Sequence, residues 1–445
     1  MILHGSVVLP DRVLTNGAVF VRDGRIIDVG AADVVATRAE AAVERIDHDG
    51  YIVPGYIDLH VHGAAGADFM DGTEEAFHTA LAAHLRHGTT SIVPTTTVAR
   101  HEQTLAMLTL CRKFRDSAGN AIAGSVGNAL RGVPEVPSNL PMSTRPTERQ
   151  GRRSLQRQAQ SALAVSGTRP VATPRVLGAH LYGPHFRYEA RGCHPAALYH
   201  EPLAVEEAAL LEFADVIATA TIAPELPAAE RFSRACGERG IRLNAGHSLA
   251  TFEQMRAALD WGVRHVDHLF CAMSDKTKLR AIQPYPMQGG VQEATLFFDE
   301  LSTEVIADGK HLSADLLLLA YKLKGPDKLA LVTDCSRALD MPDGEYLFGP
   351  RDGGELFIHR DGVGIMPDGQ GLASSAKGMD HMVRTFSRLT AVPIHEVIRM
   401  ATLTPARIID VDHEIGSLEI GKRADMLLLD RDLRVARVMR GGEFV

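Results

Sequence analysis

The chain is poor in cysteine. It has five, Cys111, Cys193, Cys236, Cys271 and Cys335, odd in number and scattered over 445 residues. No CxxC pair occurs, so neither a cysteine zinc knuckle nor a disulfide framework is supported. A reduced, cytoplasmic protein is expected. Long apolar runs are missing too: none reaches the roughly 20 residues needed to span a bilayer. The opening MILHGSVVLPDRV lacks a basic start and a long apolar stretch, so no signal peptide is expected. There is no excess of positive charge. Lys plus Arg is 47 against 55 Asp plus Glu, a net −8, which argues against a general nucleic-acid binder. Also absent are a GxSxG elbow, a Walker A loop and a GxGxxG after a first strand. Nothing therefore supports a Ser-His-Asp site, a P-loop or a dinucleotide fold.

Histidine is plentiful, at 20 residues, and several lie in apolar, strand-like runs. Those runs are IDLHVH (57–62), TSIVPTTT (90–97), VLGAHLY (176–182), VIATATI (216–222), IRLNAGH (241–247), HVDHLF (265–270), TEVIADG (303–309) and LALVTD (329–334). Helical patterns lie between most of them. Three of these open on a capping type of residue (Thr73, Ser248, Ser313) and close on a glycine (Gly88, Gly262, Gly325). Eight strands alternating with helices predict an α/β fold, a (β/α)8 TIM-like barrel over 54–408. Both chain ends read as short strands, with hairpin chemistry at Asn16-Gly17 and Asp23-Gly24. Residues 1–53 plus 409–445 are therefore expected to form a small β-sandwich domain. The stretch 115–172 fits neither part. It is rich in Ser, Pro and Arg, with eight Arg against two acids between Arg131 and Arg175. It reads as a polar insertion, solvated rather than a basic arm for an acidic partner.

Chemistry gathers at the strand ends. His60 and His62 are two apart on a strand, so both project from one face. Two imidazoles side by side in a core are costly unless they bind something. His247, His268 and Asp334 end the fifth, sixth and eighth runs. Singly each is unremarkable for a strand end. Together they place four His and one Asp where barrels carry their sites. Imidazole and carboxylate ligands suit zinc or a similar divalent metal, and catalytic sites of this kind leave a position for water.

The motifs PGYIDLHVHG, GADFMDGT, AHLYGPHF, RGCHP, APEL, NAGHS, DHLFCAM, ADGKH, LVTD and GLASS follow one another along the chain. In that order the sequence resembles the N-acetylglucosamine-6-phosphate deacetylases of the amidohydrolase superfamily. The C-terminal ATLTPARIID and GSLEIGKRADMLLLD resemble the superfamily more generally. The resemblance implies a metal-dependent hydrolase that removes acetyl from an amino sugar phosphate, acting as a homodimer. It implies metal ligands at His60, His62, His247 and His268, and a general base at Asp334. Substrate contacts are implied at His194, Cys271, Ala272 and His311, with Arg280 for phosphate. The family's HLEGP stands here as HLYGP, so Tyr182 replaces a metal-bridging Glu. One metal held by His60, His62, His247 and Asp334 is therefore expected, with His268 left to orient water or polarise the carbonyl. Two other readings remain: a hydrolase of another N-acyl or cyclic amide, and a sugar-phosphate binding protein without catalysis.

Overall fold

The computed structural model describes residues 1–38, 43–117, 172–283, 285–369 and 371–445. The insertion expected over 115–172 lies outside the described residues except at its two ends. Nearly all the described residues belong to one compact unit, Met1–Ala123 plus Thr173–Val445.

Eight segments pair in parallel in chain order. They are Tyr56–Val61, Thr89–Pro94, Arg175–Val176 continued by Ala179–Leu181, Ile217–Ile222, Arg242–Ala245, Val263–Val266, Ser302–Ile306 and Leu329–Val332. Parallel bridges at Thr95–His180 and Val61–Cys335 link the three-stranded and six-stranded groups. The result is a TIM-barrel type of fold. Tyr56–Val61, Thr89–Pro94 and Leu329–Val332 are buried at every residue, as strands covered on both faces must be.

Two of the three expected helices start where their capping residues stand. Thr73 accepts a hydrogen bond from the N–H of Ala76 and opens Glu74–Arg86. Ser313 precedes Ala314–Lys324, which ends at Gly325. The third differs. Ser248 donates its hydroxyl to Glu225 at 2.6 Å and is not the cap. Thr251 and Gln254 instead form a reciprocal capping box, so that helix is Phe252–Asp260.

The chain ends build one sheet together. Its order is Glu443–Phe444, Val435–Arg440, Met426–Leu429, Arg45–Pro54, Ile2–Val8, Val13–Arg22, Arg25–Ala31. These strands form one continuous hydrogen-bonded sheet. Ile26 near one edge and Met439 near the other share a core with Leu3, Val19, Ile52 and Leu428, so the sheet curls around one apolar centre. Asp23-Gly24 makes the expected tight turn, with φ of +51° and +72°. Asn16-Gly17 does not. It lies inside Val13–Arg22, where Gly17 pairs with Gly5 beside a register shift. A Cβ on Gly17 would come within 2.7 Å of Val7, so glycine is needed there for close approach rather than for a turn.

A four-stranded antiparallel sheet follows the eighth barrel strand: Gly344–Phe348, Glu355–Arg360, Val363–Ile365 and Leu372–Ser375. It hangs over the C-terminal end of the barrel and supplies Phe348 and Ser374 to the wall of a cavity there.

Candidate active site

His60 and His62 lie on and just past the first barrel strand, both fully buried. Asp334 lies two residues beyond the eighth strand, and its N–H donates to the carbonyl of His60 at 2.8 Å. His247 and His268 stand two residues past the fifth and sixth strands. His247, His268 and Asp334 have φ of +46°, +23° and +43°. Non-glycine residues held in the left-handed region are strained, and such strain gathers at functional sites.

Asp334 Oδ1 is 3.3 Å from His62 Nε2 and 3.7 Å from His60 Nε2. Ligand atoms of the three residues all lie within 4.8 Å of one another. Among the described residues, His60 Nε2 and both ring nitrogens of His62 are buried without an aligned hydrogen-bond partner. Buried polar atoms are almost always satisfied, so imidazole lone pairs left open beside a carboxylate fit a divalent cation.

A second tier holds His60 in place. Glu304 Oε1 is 2.6 Å from His60 Nδ1, which puts the proton on Nδ1 and turns Nε2 toward Asp334. The other oxygen of Glu304 is 3.2 Å from His265 Nε2, and His265 Nδ1 is 2.8 Å from the Ser302 hydroxyl. Asp267 accepts from the Thr221 hydroxyl at 2.6 Å and from Asn244 at 2.8 Å. His60, Asp267 and Glu304 form a second group of converging ligand atoms, wholly buried.

His247 and His268 face each other, with Nε2 atoms 3.2 Å apart. His247 Nδ1 donates to the Ala190 carbonyl at 2.7 Å. The Tyr182 hydroxyl is 2.5 Å from His268 Nε2.

The charges are strongly coupled. Burial alone would lower the His60 pKa, but Glu304 and then Asp334 outweigh it and raise it to about 9. Burial would raise Asp334, yet the His60 charge and the His62 contact hold it well below the usual carboxylate range. Burial and the His60 charge push His268 down to about 4. Burial and the Glu304 charge lift Asp267 to about 7. Burial, with the nearby carboxylates of Asp267, Asp334 and Glu304, drives the Tyr182 phenol well above 10.

A cavity of about 390 Å³ opens above these residues. His62, His247, His268 and Asp334 line it, as do His194, Cys271, Ala272 and His311. His194 Nδ1 accepts from the N–H of Val98 at 3.2 Å, and His311 Nδ1 is 2.7 Å from Asp308. Arg280 is not brought to this cavity. It is exposed on the helix Lys276–Ile282, whose side facing the cavity carries Lys278 instead. Sequence reasoning also passed over Glu304, Asp267 and Asp58, the last held by the Thr333 hydroxyl at 2.5 Å. The signal was a carboxylate inside an otherwise apolar strand run, where a charge needs a partner.

The model of the amidohydrolase family matches residues 51–445. The chain is 29% identical over 396 residues to the N-acetylglucosamine-6-phosphate deacetylase of Vibrio furnissii, covering 88% of this chain and 82% of that one. It is 29% identical over 424 residues to the N-acetylgalactosamine-6-phosphate deacetylase of Escherichia coli O157:H7, covering 95% and 93%. The crystal structure of the N-acetylglucosamine-6-phosphate deacetylase of Mycobacterium smegmatis superimposes with a TM-score of 0.78 at 26% identity, over 100% of both chains.

Proposed function

The chain belongs to the amidohydrolase family, and on that premise we propose that it deacetylates an N-acetylhexosamine 6-phosphate. N-acetylglucosamine-6-phosphate is the first candidate, giving glucosamine-6-phosphate and acetate. The observation that carries this reading is the convergence of His60, His62 and Asp334 at a cavity of sugar-phosphate size, in a chain alike over nearly its full length to two such deacetylases.

The donor set fits one divalent cation, zinc in first place. His60, His62 and Asp334 would hold it, with His247 as a fourth donor and His268 left outside the ligand set, beside the substrate. When bound, the ion supplies Lewis-acid activation of water at neutral pH. Asp334 takes the proton of the attacking water and returns it to the leaving nitrogen, since an amine leaves poorly as an anion. His194, His311, Cys271 and Ala272 line the cavity as contacts for the sugar. Arg280, exposed outside its own cavity, would serve phosphate in a neighbouring subunit. Ile282, Tyr285 and Met287 are exposed beside it, which supports a homodimer built on this edge.

The finer architecture is a (β/α)8 barrel over 54–408 with a small β-sandwich from 1–53 plus 409–445, supported by the curling of the terminal sheet. Among the described residues no helix is long and apolar enough to cross a membrane. A cytoplasmic location is the matching proposal.

The test is acetate release by zinc-reconstituted protein from N-acetylglucosamine-6-phosphate, its galacto epimer and unphosphorylated N-acetylglucosamine. Chelator-sensitive release from phosphorylated sugar alone is expected. Its absence from all three would end the deacetylase reading.

A further inference from the structure

Tyr182 stands one residue past the third barrel strand, where the resembled family carries a carboxylate. Its backbone is clamped on both sides by one threonine: Thr96 Oγ1 accepts from the Tyr182 N–H at 2.7 Å and donates to its carbonyl at 3.1 Å. Its ring packs edge-on against His60, with centroids 4.5 Å apart, and against Phe186 at 4.6 Å. The side chain is thus fixed, and it forms part of the cavity wall beside Asp334.

Its hydroxyl has one hydrogen-bond partner among the described residues, His268 Nε2 at 2.5 Å. His268 Nδ1 is buried without a hydrogen-bond partner among them. An orphaned N–H is rarer and costlier than an orphaned lone pair. The His268 proton therefore sits on Nε2, between the phenol oxygen at 2.5 Å and the His247 Nε2 lone pair at 3.2 Å, with the phenol the nearer acceptor. Tyr182 is the acceptor in that bond, and among the described residues its own O–H proton has no acceptor. A donor held rigid in a cavity wall, and polarised from behind by an imidazole N–H, is what a developing oxyanion requires.

We propose that Tyr182 is a catalytic residue that donates its O–H to the carbonyl oxygen of the scissile amide as charge builds there. The proposal rests on the deacetylase reading. The water oxygen bonds to the carbonyl carbon while its proton passes to Asp334. The C–N bond then breaks as Asp334 returns that proton to nitrogen, giving amine and carboxylic acid; the second proton of the water then passes from the acid to the amine, and the products leave as carboxylate and ammonium. Tyr182 keeps its proton throughout and contributes a hydrogen bond that is strongest when the oxygen is most negative.

The test is Tyr182→Phe, which keeps the ring and removes the donor. Turnover should fall about 100-fold with KM within about threefold, the pattern of a contact made in the transition state. Metal content should stay as in the wild type. A second measurement does not depend on the sugar: calorimetric binding of methylphosphonate, a tetrahedral anion, to the zinc-loaded protein. Tyr182→Phe should bind it about tenfold more weakly. Unchanged turnover and unchanged methylphosphonate affinity would overturn the proposal. So would loss of metal in the variant, which would make Tyr182 a support of the metal site rather than a donor. Failure of the wild type to release acetate would count against the deacetylase reading alone, because the methylphosphonate comparison still decides the role of Tyr182.

Discussion

Glu304 Oε1 and His60 Nδ1 are 2.6 Å apart, and both side chains are shut off from solvent. The carboxylate comes from the seventh strand and the imidazole from the first, so the bond crosses the barrel interior. It decides which nitrogen of His60 faces Asp334. Glu304→Gln should lower affinity for a divalent metal about 10- to 100-fold, the usual effect of removing a carboxylate behind a histidine ligand. Metal retained against a graded chelator series measures this. Wild-type retention in the variant would show that packing alone orients His60.

Among the described residues, Asp334 is the one carboxylate in the cavity wall close to both His60 and His62. Asp334→Asn should lower kcat about 1,000-fold through lost proton transfer while substrate KM changes little. Steady-state kinetics on the phosphorylated sugar, read beside metal content, separates this from simple loss of the ion. An active asparagine variant would move the proton shuttle elsewhere.

Arg175 begins the third barrel strand and is wholly buried, its guanidinium donating to Asp425 at 3.1 Å. Asp425 leads into the terminal sheet, so this pair ties sheet to barrel. Arg175→Met should cost about 3 kcal/mol, the lower end for breaking a buried pair, because Asp425 keeps Arg423 and the N–H of Gly441. The urea midpoint reports it. A shift under about 1 kcal/mol would place the pair among neutral contacts.

His87 bridges two carboxylates, with Nε2 3.0 Å from Asp340 and Nδ1 2.9 Å from Asp380. Burial would lower its pKa, but the two hydrogen bonds raise it to about 9. A pKa raised on folding adds stability that is full below the unfolded value of about 6.5 and lost as pH climbs through about 9. Asp340, held down at about 2 first by His87, adds stability lost only as pH falls toward that value. Denaturation midpoints at pH 7 and pH 10 should differ in the wild type and converge in His87→Asn. An equal alkaline loss in both proteins would remove His87 as its source.

The barrel type of fold and the strand-end placement of the candidate residues were legible because they depend on local pattern. Eight apolar runs, caps such as Thr73, and polar residues at strand ends are visible one segment at a time. So was the pairing of His60 with His62, since strand geometry fixes its face. The partners of those residues were not. Glu304 and Asp267 act through contacts 244 and 46 residues away along the chain, with His60 and Thr221, and no local pattern points to them. Gly17 misled because a glycine after an asparagine signals a turn, while here it makes room for Val7 across a strand pair. The sheet from Gly344 to Ser375 was likewise unread, although it delivers Phe348 to within 4.7 Å of the His62 ring.

The N–H of Asp334 meets the carbonyl of His60 at the seam where the first and eighth strands adjoin. The two residues sit near opposite ends of the barrel sequence, so they leave the ribosome at widely separated times. Until the eighth strand docks, the chain has histidines without their carboxylate. With the proposed ligand set, metal capture would be a late event in the life of the nascent protein, and a bound ion would certify that the ring has been completed. A chain truncated before Leu329 would keep His60, His62, His247 and His268, with Glu304 and Asp267 behind them, yet without Asp334 it would hold no finished centre for the ion to find.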